Sequence, residues 1–168
     1  MLPETVFEVE WFGPNSLASL EKYAEDNGEE ASCWSLYCIY GDHPLYGKNV
    51  PVYIGKATGR VPARLKKHSS WLEGDVYVGT AYKFENWQIS EGTTFEDKDR
   101  VILEDATIQL IEKLMIFSLQ PAYNRSNKST ANGASSIRIF NTGRLGDLPT
   151  EISGGYAIEN VPELDDVD

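Results

Sequence analysis

The sequence predicts an α+β fold: a small central antiparallel sheet of about three strands, flanked by helices, with extensions at both ends. Two runs rich in β-branched and aromatic residues, 34–41 and 50–57, are joined by a loop containing glycine and proline, which is typical of a β-hairpin. A third such run spans 75–84, and helical patterns lie around these strands. The order β-α-β-β-α-β-α, followed by an extension, is typical of the α+β class.

The N-terminal part is expected to hold a strand and a short helix. Residues 5–12 alternate apolar and polar side chains, as a half-buried strand does. Asn15 or Ser16 can cap the helix that follows, because their side-chain oxygens accept hydrogen bonds from the unpaired N–H groups of a first turn. Asn27 and Gly28 favour a helix end, since both tolerate the left-handed backbone conformation.

Two further helices are expected around the third strand. Pro62 suits the first turn of a helix that runs to about residue 71, because the N–H that proline lacks is not needed there. Residues 85–99 are polar and irregular, which predicts a surface loop. The longest helical pattern spans 99–119, and Pro121 ends it. Its second half is apolar around most of the circumference, so we expect this helix to be buried.

The chain of 168 residues fits a single domain that can bury a core of its own. Residues 137–140 predict one more strand in the C-terminal extension. Residues 161–168 are rich in acids and predict a disordered tail.

Charge is distributed unevenly along the chain. The formal net charge of −11 argues at first against nucleic acid, because phosphate repels an acidic body. Windows 43–72 and 113–146, however, hold eleven of the fifteen Lys and Arg residues and no acid. Ordinary scatter is one explanation, but the pattern favours a basic cleft in an acidic body. We expect these residues to contact DNA phosphates: Lys56, Arg60, Lys66, Lys67, Arg125 and Lys128.

Composition argues against several other classes of protein. Two cysteines, Cys33 and Cys38, are too few for a disulfide framework or a zinc ribbon, and two histidines argue against a zinc site. No apolar run approaches the roughly 20 residues of a membrane helix. The N-terminus lacks the basic-then-apolar order of a signal peptide. A cytoplasmic location is therefore expected.

Glu112 is the most informative acidic residue. On a helix its neighbours include Ile108, Met115 and Ile116, so its carboxylate borders an apolar stripe. Such a carboxylate loses hydration unless a cation or a donor meets it. A buried ion pair with an arginine is one interpretation, and a metal ligand is the interpretation that we favour.

Two further pairs of residues are candidates for a catalytic or binding site. Arg64 and His68 are four apart in the predicted helix, so they share one face, which joins a phosphate-binding cation to a titratable imidazole. A solvated surface is the alternative. Tyr37 and Tyr53 lie in the two hairpin strands, where tyrosines usually serve packing. Gly55, two residues after Tyr53, leaves room for a ligand to approach the backbone.

Taken in order, these segments resemble the GIY-YIG nuclease superfamily over about residues 34–124. The resemblance is greatest to the first nuclease domain of the bacterial excision-repair incision subunit, and the Arg-x-x-x-His spacing is also similar to homing and type II restriction members. The matching segments are LYCI at 36–39, YIGKA at 53–57, Arg64 with His68, Glu112, and QPAYN at 120–124.

The first motif departs from the family pattern. Ser35-Leu36-Tyr37 replaces Gly-Ile-Tyr, and a competing register would place Tyr40 at the position that we assign to Tyr37. We prefer Tyr37 because Tyr37-Cys38-Ile39 then matches the Tyr-x-Ile pattern of many family members.

The resemblance implies a metal-dependent endonuclease that hydrolyses DNA phosphodiester bonds. Glu112 would hold one Mg²⁺ or Mn²⁺ ion, and Arg64 would stabilise negative charge on the phosphate. Tyr37 or Tyr53 would take the proton of the attacking water, and His68 would orient that tyrosine or relay its proton.

The resemblance also implies a positioning role and a class of partner. Asn124 would orient the region of Glu112 by hydrogen bonds. The expected partner is DNA, with double-stranded DNA preferred to single-stranded DNA. The expected context is restriction, phage defence, mobile-element activity or repair. A homodimer is one expected assembly. The alternative function is a catalytically silent module of the same fold that binds nucleic acid or protein.

Overall fold

The computed structural model describes residues 4–57, 59–68, 74–83 and 101–159. Its strands are β1 (Thr5–Asn15), β2 (Leu36–His43), β3 (Gly47–Lys56), β4 (Val76–Lys83), β5 (Val101–Ile102), β6 (Ile137–Gly143) and β7 (Glu151–Ser153). Its helices are α1 (Leu17–Asp26), α2 (Gly28–Ser32), α3 (Val61–Leu65), α4 (Asp105–Leu119) and α5 (Gly154–Glu159), and a 3₁₀ turn, Lys66–His68, follows α3. The predicted loop at 85–99 and the predicted acidic tail at 161–168 lie outside the described residues.

The strands form one mixed, curled sheet in the order β3-β2-β4-β1-β6-β7, and β5 pairs with β4. β1 lies inside the sheet, antiparallel to β4 and parallel to β6. The predicted fold class, a three-stranded antiparallel sheet flanked by helices, is therefore wrong. The two segments expected to be extensions are strands of the sheet, and the helices are few and, apart from α4, short.

Long-range polar contacts explain why the C-terminal part joins the sheet. The indole Nε1 of Trp11 in β1 donates to Oδ1 of Asn141 in β6 at 2.9 Å, across 130 residues of sequence. Asn141 Nδ2 in turn donates to the carbonyl of Pro149 at 2.7 Å. Local periodicity identifies a half-buried strand but not the strand that lies beside it, so these pairings could not be derived from the alternation of residues.

Each face of the sheet carries a hydrophobic core. Ile111 and Leu114 of α4 are fully buried in the core on one face. Leu20 of α1 and Leu65 of α3 are fully buried in the other. β3 is an end strand of the sheet, and α4 reaches its outer edge. This arrangement determines where the candidate site forms.

Several local predictions are confirmed. Ser16 caps α1, and the C-cap is Asn27. β2 and β3 form an antiparallel hairpin. Pro62 lies in the first turn of α3, but this helix ends at Leu65 and continues as a 3₁₀ turn. Within the described part of the chain, no helix is long and apolar enough to span a membrane.

Candidate active site

The outer edge of β3 is covered by two side chains from the C-terminal half of the chain. The backbone N–H of Lys56 donates to Glu112 Oε1 at 2.9 Å. The N–H of Ile54 donates to Asn124 Oδ1 at 2.9 Å, and its carbonyl accepts from Asn124 Nδ2 at 2.8 Å. Glu112 and Asn124 therefore take the place of a neighbouring strand, which satisfies polar groups of an edge that would otherwise be open. This contact brings α4 to the hairpin.

We expect Asn124→Ala to destabilise the protein by about 2–4 kcal/mol, because it leaves the buried N–H and carbonyl of Ile54 without their partner. The melting temperature should fall by roughly 5–15 °C for a domain of this size. Circular dichroism measures the effect, and Ser126→Ala, in the same segment but exposed, should leave the melting temperature unchanged. Equal melting temperatures for the wild type and Asn124→Ala would contradict this positioning role.

Two tyrosines and a histidine form a stacked group on the face of the sheet that carries α3. The rings of Tyr37 and Tyr53 lie 5.9 Å apart at an angle of 24°. His68 Nε2 lies 3.1 Å from the Tyr37 hydroxyl, and the His68 ring lies 4.7 Å from the Tyr53 ring. A Cβ at Gly55 would lie 2.5 Å from the Tyr37 hydroxyl, so only glycine allows this packing.

The environment determines the protonation states of this group. Burial raises the pKa of Tyr37 well above 10.0 and the Tyr53 phenol adds to the rise, whereas the charge and hydrogen bonding of Arg64 oppose it. Burial and the charge of Arg64 lower the pKa of His68 below 6.5. At neutral pH Tyr37 is therefore a phenol and His68 a neutral imidazole. The Tyr37 hydroxyl and His68 Nε2 share this hydrogen bond, and the tautomer of the imidazole determines which of the two groups donates.

Glu112 lies between two cations. Burial raises the pKa of its carboxyl group from 4.5, whereas the N–H and the charge of Lys56, and the charge of Arg64, act to lower it. Lys56 Nζ forms a 2.6 Å ion pair with Asp105 Oδ2. The pKa of Arg64 is raised, chiefly by its electrostatic interaction and hydrogen bond with the Tyr37 hydroxyl, so the guanidinium stays charged.

Three of these residues, Tyr53, His68 and Glu112, border one open cleft of about 940 Å³. Its lining includes Tyr53, His68, Glu112, Ile116 and residues 122–127. Tyr37 is fully buried beneath Tyr53 and does not line this cleft. The cleft has room for a phosphodiester and its flanking sugars, and Tyr53 is the tyrosine that such a ligand would meet.

Tyr40 lies elsewhere. Its ring packs in the core on the opposite face of the sheet, its hydroxyl donates to the carbonyl of Leu145 at 3.0 Å, and it accepts from the N–H of Asp147 at 3.0 Å. Tyr40 therefore does not lie beside His68, whereas Tyr37 does.

Only some of the basic residues that were predicted to contact phosphate are placed to do so. Arg125 borders the cleft, and Arg60 and Lys67 have exposed side chains on the side of α3. Lys56 is bound to Asp105 and Lys66 to Glu21, each at 2.6 Å. Lys128 is half-buried, and its backbone carbonyl accepts from Gln120 Nε2 at 2.7 Å.

A divalent metal fits the cleft through one carboxylate. Within residues 4–57, 59–68, 74–83 and 101–159, no group of three or more His, Cys, Asp or Glu side chains could hold a metal ion. Glu112 supplies one hard oxygen ligand at the cleft, and Mg²⁺ is commonly bound by one or two carboxylates with waters and a substrate phosphate. Glu112 is thus the carboxylate at the described part of the cleft that could hold Mg²⁺ or Mn²⁺.

Two residues of this region were not predicted from the sequence. Asp105, which holds Lys56, precedes Glu112 by two helical turns, and that spacing on one helix could have indicated it. Tyr123 borders the cleft, and its N–H donates to the carbonyl of Val52 at 2.8 Å. Its place beside Asn124 in the last matching segment was the available signal.

Comparison with protein-family models, with curated proteins and with solved structures finds no match for this chain.

Proposed function

We propose that this protein is a divalent-metal-dependent endonuclease that hydrolyses DNA phosphodiester bonds. The observation that supports this most is the convergence of Tyr53 of β3, His68 of the 3₁₀ turn and Glu112 of α4 at one cleft. Arg64 of α3 does not line this cleft, but it interacts electrostatically with Tyr53 and Glu112. A cation for the phosphate, a carboxylate ligand and groups that move a proton are the parts that phosphodiester hydrolysis requires.

Each residue has a distinct role in this proposal. Arg64 stabilises the negative charge that builds on the phosphate oxygens. The proton of the attacking water passes to the Tyr53–His68 pair at the cleft surface, where the neutral imidazole of His68 can accept it. Tyr37, a buried phenol, is a positioning residue that fixes the His68 ring. A metal ion bound at Glu112 would neutralise phosphate charge and lower the pKa of a bound water.

The direct test is cleavage of DNA by the purified protein. Supercoiled plasmid and single-stranded circular DNA are incubated with Mg²⁺ or with EDTA, and any ends are mapped. Discrete linear fragments in Mg²⁺ alone would indicate a restriction-type enzyme, and nicks would indicate repair or mobile-element work. Binding without cleavage on either DNA would contradict the proposal and favour the catalytically silent module.

We expect cleavage to be independent of pH near neutrality and to be lost in an acid limb between pH 4.5 and 6.5. The pKa of His68 is lowered from 6.5, so the imidazole stays neutral and able to accept a proton below that pH. The pKa of Glu112 is raised from 4.5, so metal binding weakens as the pH falls towards that value. The measurement is the cleavage rate at saturating DNA and a fixed, subsaturating metal concentration as a function of pH.

His68→Gln provides the companion measurement. Its remaining activity should be at least about tenfold lower, and its acid limb should depend on Glu112 alone. An acid limb centred at or above pH 6.5 in the wild type would contradict the assignment of His68.

A further inference from the structure

Three aromatic rings lead from the cleft to the tip of the β2–β3 hairpin. The His43 ring packs against Tyr46 with centroids 5.0 Å apart and meets the edge of Tyr123 at 5.8 Å and 68°. Tyr46 is 54% exposed and Tyr123 is 40% exposed, although both are large apolar rings. Tyr123 also borders the cleft. We call these three rings, His43, Tyr46 and Tyr123, the aromatic ridge.

The hairpin tip has a defined conformation. His43 Nδ1 accepts hydrogen bonds from the backbone N–H groups of Leu45 and Tyr46 at 3.3 and 3.4 Å. The N–H of Asn49 donates to Asp42 Oδ1 at 2.9 Å, which closes the turn. The ridge is therefore organised before any ligand arrives, so little conformational entropy is lost when a ligand binds it.

We propose that the aromatic ridge stacks against unpaired nucleobases, so that the substrate is DNA with unpaired nucleotides beside the bond that is cut. Aromatic side chains that stack on bases are a common means of holding single strands, and every base offers a suitable face. A regular duplex hides these faces inside its own stack. The inference rests on the proposed function for the position of the cut, but the stacking itself does not require cleavage.

The charge of the protein supports this substrate class. The net charge is −11, and Lys56 and Lys66 are paired with Asp105 and Glu21, which weakens attraction for a long run of phosphates. Stacking does not depend on net charge, so it can supply affinity that the cleft alone does not. A bubble, a flap or a single-stranded segment presents both parts that the surface needs, namely a phosphate for the cleft and a base for the ridge.

Binding of the full chain in EDTA tests the proposal without cleavage. The probes are a duplex and the same duplex with a short central bubble containing the fluorescent base 2-aminopurine. The bubble should bind roughly tenfold more tightly than the duplex, and binding should quench 2-aminopurine because the base stacks. Tyr46→Ala should lose about that factor on the bubble while its duplex affinity stays unchanged, and Tyr123→Ala should also weaken binding of the bubble.

The controls separate stacking from other effects. Tyr46→Phe and Tyr123→Phe keep the ring and should bind the bubble like the wild type. Tyr156→Ala removes a ring that is 76% exposed on α5, at the opposite end of the sheet from β3, and should change nothing. The tip is exposed, so Tyr46→Ala should fold normally, which circular dichroism checks.

The outcomes distinguish this inference from the proposed function. Equal affinity for both probes, unaffected by the alanine variants, would overturn the ridge and leave the nuclease proposal standing. Selective, quenched binding of the bubble without any cleavage in Mg²⁺ would support the ridge and contradict the nuclease. Absence of binding to either probe would overturn both.

Discussion

Replacing Glu112 by glutamine is expected to reduce DNA cleavage to less than about one hundredth of the wild-type rate, while DNA binding survives. Glutamine keeps an oxygen that can accept from the Lys56 N–H, so the edge of β3 stays covered. It removes the negative charge that would hold the metal ion. The effect on turnover should therefore be much larger than the effect on affinity.

The same change should make the protein more stable. The pKa of Glu112 is raised above 4.5 by burial, so the fold favours the neutral form and the ionised carboxylate is a source of instability at pH 7. The neutral amide removes that penalty, so we expect the melting temperature of Glu112→Gln to lie above that of the wild type. Catalytic groups often carry such a loss of stability.

Three measurements on two variants test this expectation. Plasmid cleavage in Mg²⁺, affinity for DNA and thermal unfolding are compared for Glu112→Gln and for Glu29→Gln, an exposed acid on α2 that should behave as the wild type. Normal cleavage by Glu112→Gln would show that the site assignment is wrong. Loss of folding would instead show that the carboxylate serves as a structural ion pair.

Arg64→Ala should lower kcat by about a hundredfold or more, whereas Arg60→Ala should mainly weaken the affinity for DNA. Both are arginines of the same short segment, which makes them a matched pair. Arg64 interacts electrostatically with Tyr37, Tyr53 and Glu112, so its guanidinium acts on the groups of the candidate site. Arg60 is exposed at the start of α3, and no such interaction joins it to these groups in the described part of the chain.

The measurement is single-turnover cleavage at saturating DNA, which separates rate from binding. Arg64→Lys should recover part of the rate, since it restores the charge but not the planar guanidinium. If Arg60→Ala and Arg64→Ala lower the rate equally at saturation, Arg64 has no special part in the reaction.

Local features of the fold could be derived from the sequence. The cap at Ser16 and the β2–β3 hairpin depend on neighbouring residues, so a single stretch contains the whole signal. The size and topology of the sheet could not be derived in this way. Val9 and Ile139 both appear as buried strand residues in the alternation, but nothing local indicates that β1 pairs in parallel with β6.

For the candidate site, the identity of the residues could be predicted from the sequence, but their separate roles could not. Tyr37, Tyr53, Arg64, His68 and Glu112 were selected by type, spacing and resemblance, and the structure brings them together. Which of these side chains can meet a ligand depends on how deeply each is buried, and the sequence pattern does not indicate burial to that detail. Burial removes Tyr37 from the cleft and leaves Tyr53 at its surface.

Ion pairs between residues that are far apart in the sequence could not be derived from the sequence either. Lys56 and Lys66 were predicted to face phosphate, yet each lies against a carboxylate that is far away in the sequence.

The position of β1 has a consequence for how the chain folds as it is synthesised. β1 is synthesised before its parallel partner β6, which consists of residues 137–143, so one edge of β1 stays open until β6 has been made. Pairing over such a separation is slow, because a long loop must close before any contact stabilises it. An open edge beside Phe7, Val9 and Trp11 is a template for pairing with another nascent chain. Slower synthesis at low temperature should therefore increase the soluble yield.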